Sequence, residues 1–204
     1  MSVPRPHDLL WGMTPAQLPS DAPAWAHDVL VAGQPVVVRR ARCAEGWVAV
    51  GVRGQGRERR LAAQMPCAAV MRRLSPEDLR WHGDSPLPAL QALAQVSAVL
   101  DASGLPWGPT GGVAYQLATG ESVLHPGSDL DLLLRTPKPM PRQQAQALLS
   151  RLDAARCRID LQLETPEGAV ALREWAGSAR RVLLKSPRGA RLVLDPWNRL
   201  ECAA

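Results

Sequence analysis

Residues 127–135 read GSDLDLLLR, and no other stretch restricts the fold as tightly. A β-strand sends successive side chains to opposite faces, so Asp129 and Asp131 share one face while Leu130, Leu132 and Leu134 fill the other. Two like charges on one face repel, and each is costly to bury without a partner. Such a pair is either solvated at the mouth of a strand or gathered around a hard divalent cation. For an isolated D-x-D the solvated reading comes first, so the surroundings decide.

A second stretch poses the same problem. In CRIDLQLE (157–164), Ile159, Leu161 and Leu163 alternate with Asp160, a mid-strand acid that needs a charged partner. If 129–135 and 157–164 are neighbouring strands, Asp160 stands beside the first pair. Three carboxylates around one point are self-defeating without a cation, and magnesium, with manganese as its substitute, suits an all-oxygen set. Upstream, Gly111 and Gly112 precede a short helix, where glycines let backbone N–H groups approach phosphate oxygens. Arg158 shares the Asp160 face and either meets phosphate or forms an ion pair with that acid. Lys185 lies in an apolar strand and either contacts phosphate or snorkels from an edge.

The remaining pattern places these residues in a fold. PAWAHDVLVA (23–32) predicts a helix stopped by Gly33, and PVVVRRA (35–41) with GWVAVGVR (46–53) predicts a hairpin leading to the basic loop GQGRERR (54–60). SPEDL (75–79), with Ser75 as cap and Pro76 in the first turn, predicts a helix start. GDSPLP (83–88) reads as a linker. Helices are expected over 88–104, after Gly112, over 141–155 and over TPEGAVALREWAG (165–177), the last capped by Thr165; RRVLLKS (180–186) and RLVLD (191–195) read as a closing hairpin. The expectation is an α+β fold: a mixed sheet flanked by helices over residues 86–204, and a smaller β-rich N-terminal lobe over residues 1–85.

The ordered set of Gly-Gly turn, helix, D-h-D strand and third acid on an adjacent strand resembles the nucleotidyltransferase superfamily. That resemblance implies metal ions held by Asp129 and Asp131 against nucleotide phosphates, with Asp160 orienting or activating the attacking hydroxyl. The loop GESVLHPGS makes the distance from Gly112 to Asp129 longer than is commonest in that superfamily. A closer resemblance spans nearly the whole chain. RPHDLLW (5–11), SDLDLLLR (128–135), DLQLETPEGAVALREWA (160–176) and LLKSPRGARLVLDPW (183–197) are similar to the phosphoribosyl-dephospho-CoA transferases of malonate decarboxylase, also called malonate decarboxylase holo-[acyl carrier protein] synthases. The resemblance implies transfer of the 2′-(5″-phosphoribosyl)-3′-dephospho-CoA group from triphosphoribosyl-dephospho-CoA to a serine of the apo acyl carrier subunit, with release of diphosphate.

The charge balance agrees. The formal net charge is +5, supplied almost wholly by arginine, with Lys138 and Lys185 the lysines. A planar guanidinium suits phosphate and carboxylate, which predicts an acidic partner such as a polyphosphate or an acidic carrier protein; an arginine bias from GC-rich coding is the plainer source. No apolar run approaches the roughly 20 residues a membrane helix requires, and MSVPRPHDLL lacks the apolar core of a secretory signal, so a cytoplasmic protein is expected. Cys43, Cys67, Cys157 and Cys202 are dispersed and read as reduced packing residues.

Other residues receive modest roles. His125 reads as loop surface rather than a general base, Trp107 as core rather than an adenine platform, Arg135 as a surface or inter-strand partner, and His7-Asp8 as a cap or a brace between lobes. The clusters Arg39-Arg40-Arg42, Arg57-Arg59-Arg60 and Arg72-Arg73 read as carrier docking or as solvated faces. Two other functions compete: a nucleotidyltransferase acting on some other hydroxyl, and a basic nucleic-acid-binding protein. No helix-turn-helix, zinc-finger or RNA-recognition pattern supports the second, so nucleic acid is not an expected partner.

Overall fold

The computed structural model describes residues 3–56 and 58–198, so Arg57 and Cys202 lie outside the described residues. The chain forms two sheets, each with its own core. The first contains β1 (Leu9–Trp11), β2 (Val36–Val38), β3 (Trp47–Arg53), β4 (Arg60–Pro66) and β5 (Arg72–Leu74) in the order β4-β3-β2-β1-β5, antiparallel throughout. Helix α1 (Ala24–Val31) packs on it through Ala26 and Leu30, against Val36, Val38, Val50, Val52 and Met65. Gly33, at φ 70, lets the chain leave the helix towards β2.

The second sheet takes β6 (Trp107–Pro109), β7 (Leu130–Arg135), β8 (Ile159–Thr165), β9 (Gly168–Ala171), β10 (Val182–Ser186) and β11 (Gly189–Val193) in the order β11-β10-β9-β8-β7-β6. Only β7 and β8 run parallel, and helix α4 (Arg142–Leu152) crosses between them. This is the expected α+β architecture with a mixed sheet. Helices α2 (Pro88–Asp101), α3 (Gly111–Thr119) and α5 (Leu172–Ala176) complete the secondary structure. Leu130, Leu132 and Leu134 of β7 and Ile159, Leu161 and Leu163 of β8 are buried against α2, α4 and α5, through Leu93, Val96, Ala145, Leu152 and Trp175.

Strand alternation then sends the other set of side chains to the opposite face. There the register pairs Asp131 with Asp160, Leu133 with Gln162, and Arg135 with Glu164. This second face is covered by the first lobe, and it is polar. Arg40 Nη1 and Nη2 donate to the two Glu164 oxygens at 2.5 and 2.6 Å, and Arg135 Nε donates to Glu77 at 2.8 Å. Gly108 of β6 permits the approach, because a Cβ there would collide with the backbone of Pro76. Two apolar cores therefore meet across a seam of charges.

Two expected elements are different. SPEDL yields only a single 3-10 turn (Pro76–Asp78), closed by the Ser75 N–H donating to Asp78 Oδ2 at 2.8 Å. The expected helix over 165–177 is instead a strand end, a turn, β9 and a helix of five residues. Thr-Pro-Glu-Gly carries the signals of both a helix start and a β-turn, with Pro second and Gly fourth. The turn prevails because Gly168, at φ 149, brings the backbone so close to Lys185 that no Cβ fits. Strands β4 and β6 were not signalled: RLAAQMP is poor in β-branched residues, and WGP is short.

Candidate functional site

The site is built where β6, α3, β7 and β8 converge. Asp131 and Asp160 are direct partners in the parallel register, so their carboxylates leave the same face of adjacent strands. Asp129 precedes β7 by one residue and lines the same cleft, which has a volume of about 690 Å³. The turn into α3 is fixed to the acids, because the Thr110 N–H donates to the Asp131 carbonyl at 2.8 Å. Gly111 follows at φ 59, and a Cβ there would overlap the Asp131 carboxylate. Glycine meets both demands without strain, a left-handed backbone and a close approach. Gly111 and Gly112 both line the cleft at the start of α3.

Among the described residues, no group of three or more His, Cys, Asp and Glu side chains is arranged as it stands to hold a metal ion. Asp160 is turned instead to Arg158, whose Nη2 lies 3.3 Å from Oδ1, with side chains 46% and 67% exposed respectively. An ion pair this exposed is worth about 0–1 kcal/mol. The Arg158 side chain meets Asp160, and its carbonyl accepts the Leu130 N–H at 2.9 Å. Lys185 lies on another strand, and lines a smaller cavity of about 250 Å³ together with Asp131, Asp160, Gln162 and Arg173.

The facing wall of the cleft comes from the first lobe. The β3–β4 hairpin contributes Arg53, Gly54, Gln55, Gly56 and Arg60. Burial holds the Arg53 guanidinium below the usual arginine range, and the Arg60 charge adds to this, while Tyr115 and Asp131 oppose it. Its guanidinium lies 5.2 Å from the centre of the Tyr115 ring. Neither Arg53 nor Arg60 was singled out as a site residue from sequence; the available signal was a glycine-spaced arginine loop. The loop that enters β7 is held by side-chain bonds. Gln116 Oε1 accepts the N–H groups of Val123 and Leu124, both at 3.0 Å, and His125 Nδ1 accepts the Gly127 N–H at 3.2 Å. His125 thus spends one ring nitrogen on its own turn.

The other residues fall into structural places. Trp107 is buried and donates to Asp101 at 2.8 Å, as a core residue does. Arg135 is committed to Glu77, Arg40 to Glu164, and Arg72 lies over the Trp11 ring at 4.4 Å. Cys43, Cys67 and Cys157 are free thiols, and burial pushes the Cys43 and Cys157 thiols up, away from reactive thiolates. No helix among the described residues is long and apolar enough to cross a membrane.

His7 lies in the seam beside the site. Burial is the main force lowering its pKa from 6.5 to about 4; Arg40 and Arg135 also lower it, while Glu164 and a hydrogen bond with Gln162 raise it. The folded protein therefore resists a proton that the unfolded chain accepts. Stability should fall as pH drops from 6.5 towards 4, by up to about 1.4 kcal/mol per pH unit. His7→Asn should flatten that slope, since Asn tolerates the φ of 74 seen at this position. Asp8, raised chiefly by burial, contributes a slope of opposite sign above its unfolded value, and comparison with the variant cancels it. Denaturant midpoints across this range, equally steep in both proteins, would count against a neutral, partly buried His7.

A family model described as the phosphoribosyl-dephospho-CoA transferase MdcG N-terminal domain matches residues 5–76, and the C-terminal domain model of that family matches residues 73–196. A phosphoribosyl-dephospho-CoA transferase of Pseudomonas putida (strain W619) is 71% identical over 204 residues, covering 100% of both chains. The proteins of that name from Azotobacter vinelandii and Pseudomonas aeruginosa are 59% and 54% identical, covering 96% and 98% of this chain and 95% and 97% of their own. No solved structure matches the chain.

Proposed function

The chain belongs to the phosphoribosyl-dephospho-CoA transferase family, and from that membership we propose a metal-dependent nucleotidyl-type transfer to the acyl carrier subunit of malonate decarboxylase. The donor is triphosphoribosyl-dephospho-CoA, and the acceptor is a serine hydroxyl of the apo carrier. The serine oxygen bonds to the α-phosphorus, the bond from that phosphorus to the oxygen bridging towards the β-phosphate breaks, and diphosphate leaves. The observation that carries this reading is the opposition of Asp131 and Asp160 on parallel strands, beside a turn whose left-handed backbone and close approach favour glycine.

The donor set is all carboxylate oxygen, which fits magnesium or manganese. Asp129, Asp131 and Asp160 would hold the ion, with Asp160 giving up its weak pair with Arg158. Such an ion neutralises charge on the phosphoryl oxygens. The backbone of Gly111 and Gly112 seats the phosphates at the start of α3, and Arg53 and Arg60 oppose them from the hairpin. Asp160 orients the incoming hydroxyl and stands ready for its proton. Lys185, in the adjoining cavity, faces the departing charge.

The test is incubation with apo carrier, the triphosphate precursor and magnesium, read by mass spectrometry. The expected result is one phosphoribosyl-dephospho-CoA mass added to a carrier serine. Modification from ATP alone, or no modification, would overturn the reading. Gly111→Ala provides a second check on the geometry. It should lower stability by about 1–2 kcal/mol through the left-handed backbone, and transfer by about 10²-fold through displacement of the Asp131 carboxylate. At position 112 a Cβ would meet only the ends of two side chains, Leu124 at 3.1 Å and Arg53 Nη2 at 3.4 Å, so Gly112→Ala should be the more stable variant. Equal melting of the two would contradict the geometry.

A further inference from the structure

Beyond Arg53 the cleft opens into a second groove of about 380 Å³. Arg53, Gly54 and Gln55 on one side, and Ser122 and Val123 on the other, line both spaces, so the two are continuous. We propose that this groove is the subsite for the dephospho-CoA portion of the donor, and that it is what separates the precursor from a plain nucleoside triphosphate. The inference rests on the donor assigned above.

The groove's chemistry matches that portion. Dephospho-CoA joins adenosine through a diphosphate to a long, amide-bearing, largely apolar pantetheine arm. Its ligand site should therefore offer cations near the cleft and a mixed apolar wall beyond. Arg53 and Arg59 supply two guanidiniums with no ion pair to a carboxylate among the described residues, while Asp28 and Glu121 also line the groove and suit the amide and hydroxyl donors of the arm. A guanidinium matches a diphosphate through paired N–H donors. Trp25, Val29 and Ala32, on or next to α1, provide the apolar wall, and Tyr115 faces them from α3.

The groove is also built to persist. Gly54 has no room for a side chain, because a Cβ would lie 2.8 Å from Trp25 Cε3 and 2.9 Å from Arg59 Cβ. The hairpin backbone therefore lies against the indole. Across the lobes, the Tyr115 hydroxyl donates to Gln34 Oε1 at 3.3 Å, and Gln34 Nε2 donates to Glu121 at 3.2 Å. These bonds tie the turn after α1 to α3. A nucleoside triphosphate seated by its phosphates at Gly111 leaves this space empty. The full donor gains its contacts, so the preference is a difference in binding between two ligands that share one phosphate seat.

Calorimetric titration with dephospho-CoA and, separately, with tripolyphosphate tests the proposal on the intact protein. Ala32 is solvent-exposed at the end of α1, so Ala32→Trp obstructs the groove without disturbing the core. The variant is expected to weaken dephospho-CoA by about tenfold or more, and to leave tripolyphosphate binding unchanged. Equal dephospho-CoA affinity in both proteins, or no binding to the unmodified protein, would overturn it. The transfer assay separates the two readings. Carrier modification without dephospho-CoA binding removes the subsite and keeps the activity; binding abolished by Ala32→Trp without carrier modification keeps the subsite and removes the activity.

Discussion

Asp131→Asn is expected to lose transfer to the carrier by at least about 10³-fold while keeping its fold. The substitution preserves volume and leaves the Asp131 carbonyl free to accept the Thr110 N–H, so the turn into α3 should survive. It removes one of two charges that face each other across parallel strands. An amide cannot supply the negative charge that a divalent ion requires in a set of carboxylates, so the phosphates would remain unneutralised in the cleft. The matching readout is the midpoint of thermal unfolding, which should move by only a few degrees. A variant that retains more than about a tenth of the activity would show that the acid is structural.

The second large effect is on stability. Arg40 and Glu164 are 124 residues apart in the chain, and their side chains are only 12% and 13% exposed. Removing one partner of a buried, doubly hydrogen-bonded pair strands the other charge, and such losses typically cost 3–5 kcal/mol. Arg135 stands beside Glu164 in the strand register and softens the loss. Arg40→Met is therefore expected at the low end, about 3 kcal/mol, or a fall in the thermal midpoint of roughly 6–12 °C. Glu164→Leu added to Arg40→Met should recover most of it, since an apolar pair carries no stranded charge. If the double variant is as unstable as the sum of the singles, the seam between the lobes does not depend on this pair.

Much of the second lobe is legible in sequence because its signals are local. The alternation of leucine with Asp131 on one strand, and of leucine with Asp160 on another, marks a face packed on helices and a face turned away from them. Gly111 is legible as one of two glycines at the start of a helix. Its partner in close approach, the Asp131 carboxylate, is not, because that contact exists only once β6 and β7 pair. The two acids could be placed on neighbouring strands, but their exact opposition depends on register, which α4 sets from a distance. Thr165 to Gly168 reads equally as helix start or turn, and the decision lies with β10, which approaches the turn in space.

The contribution of the first lobe is hidden for a similar reason. Arg53 and Arg60 look like surface charge along the chain and become the wall of the cleft only when the β3–β4 hairpin folds over the acids. Arg40 belongs to an apparently solvated arginine cluster, yet its guanidinium is engaged by an acid of β8. Interactions across a seam between two cores leave no periodicity in either segment.

Anomalous diffraction from crystals soaked with manganese and tripolyphosphate tests directly whether Asp131 and Asp160 jointly hold a divalent ion against the donor triphosphate. The expected result is a manganese peak about 2.1 Å from oxygens of both carboxylates, with Asp160 released from Arg158 and phosphate oxygens completing the coordination. Tripolyphosphate bound in the cleft without manganese at these acids, and with the Arg158–Asp160 pair intact, would contradict it.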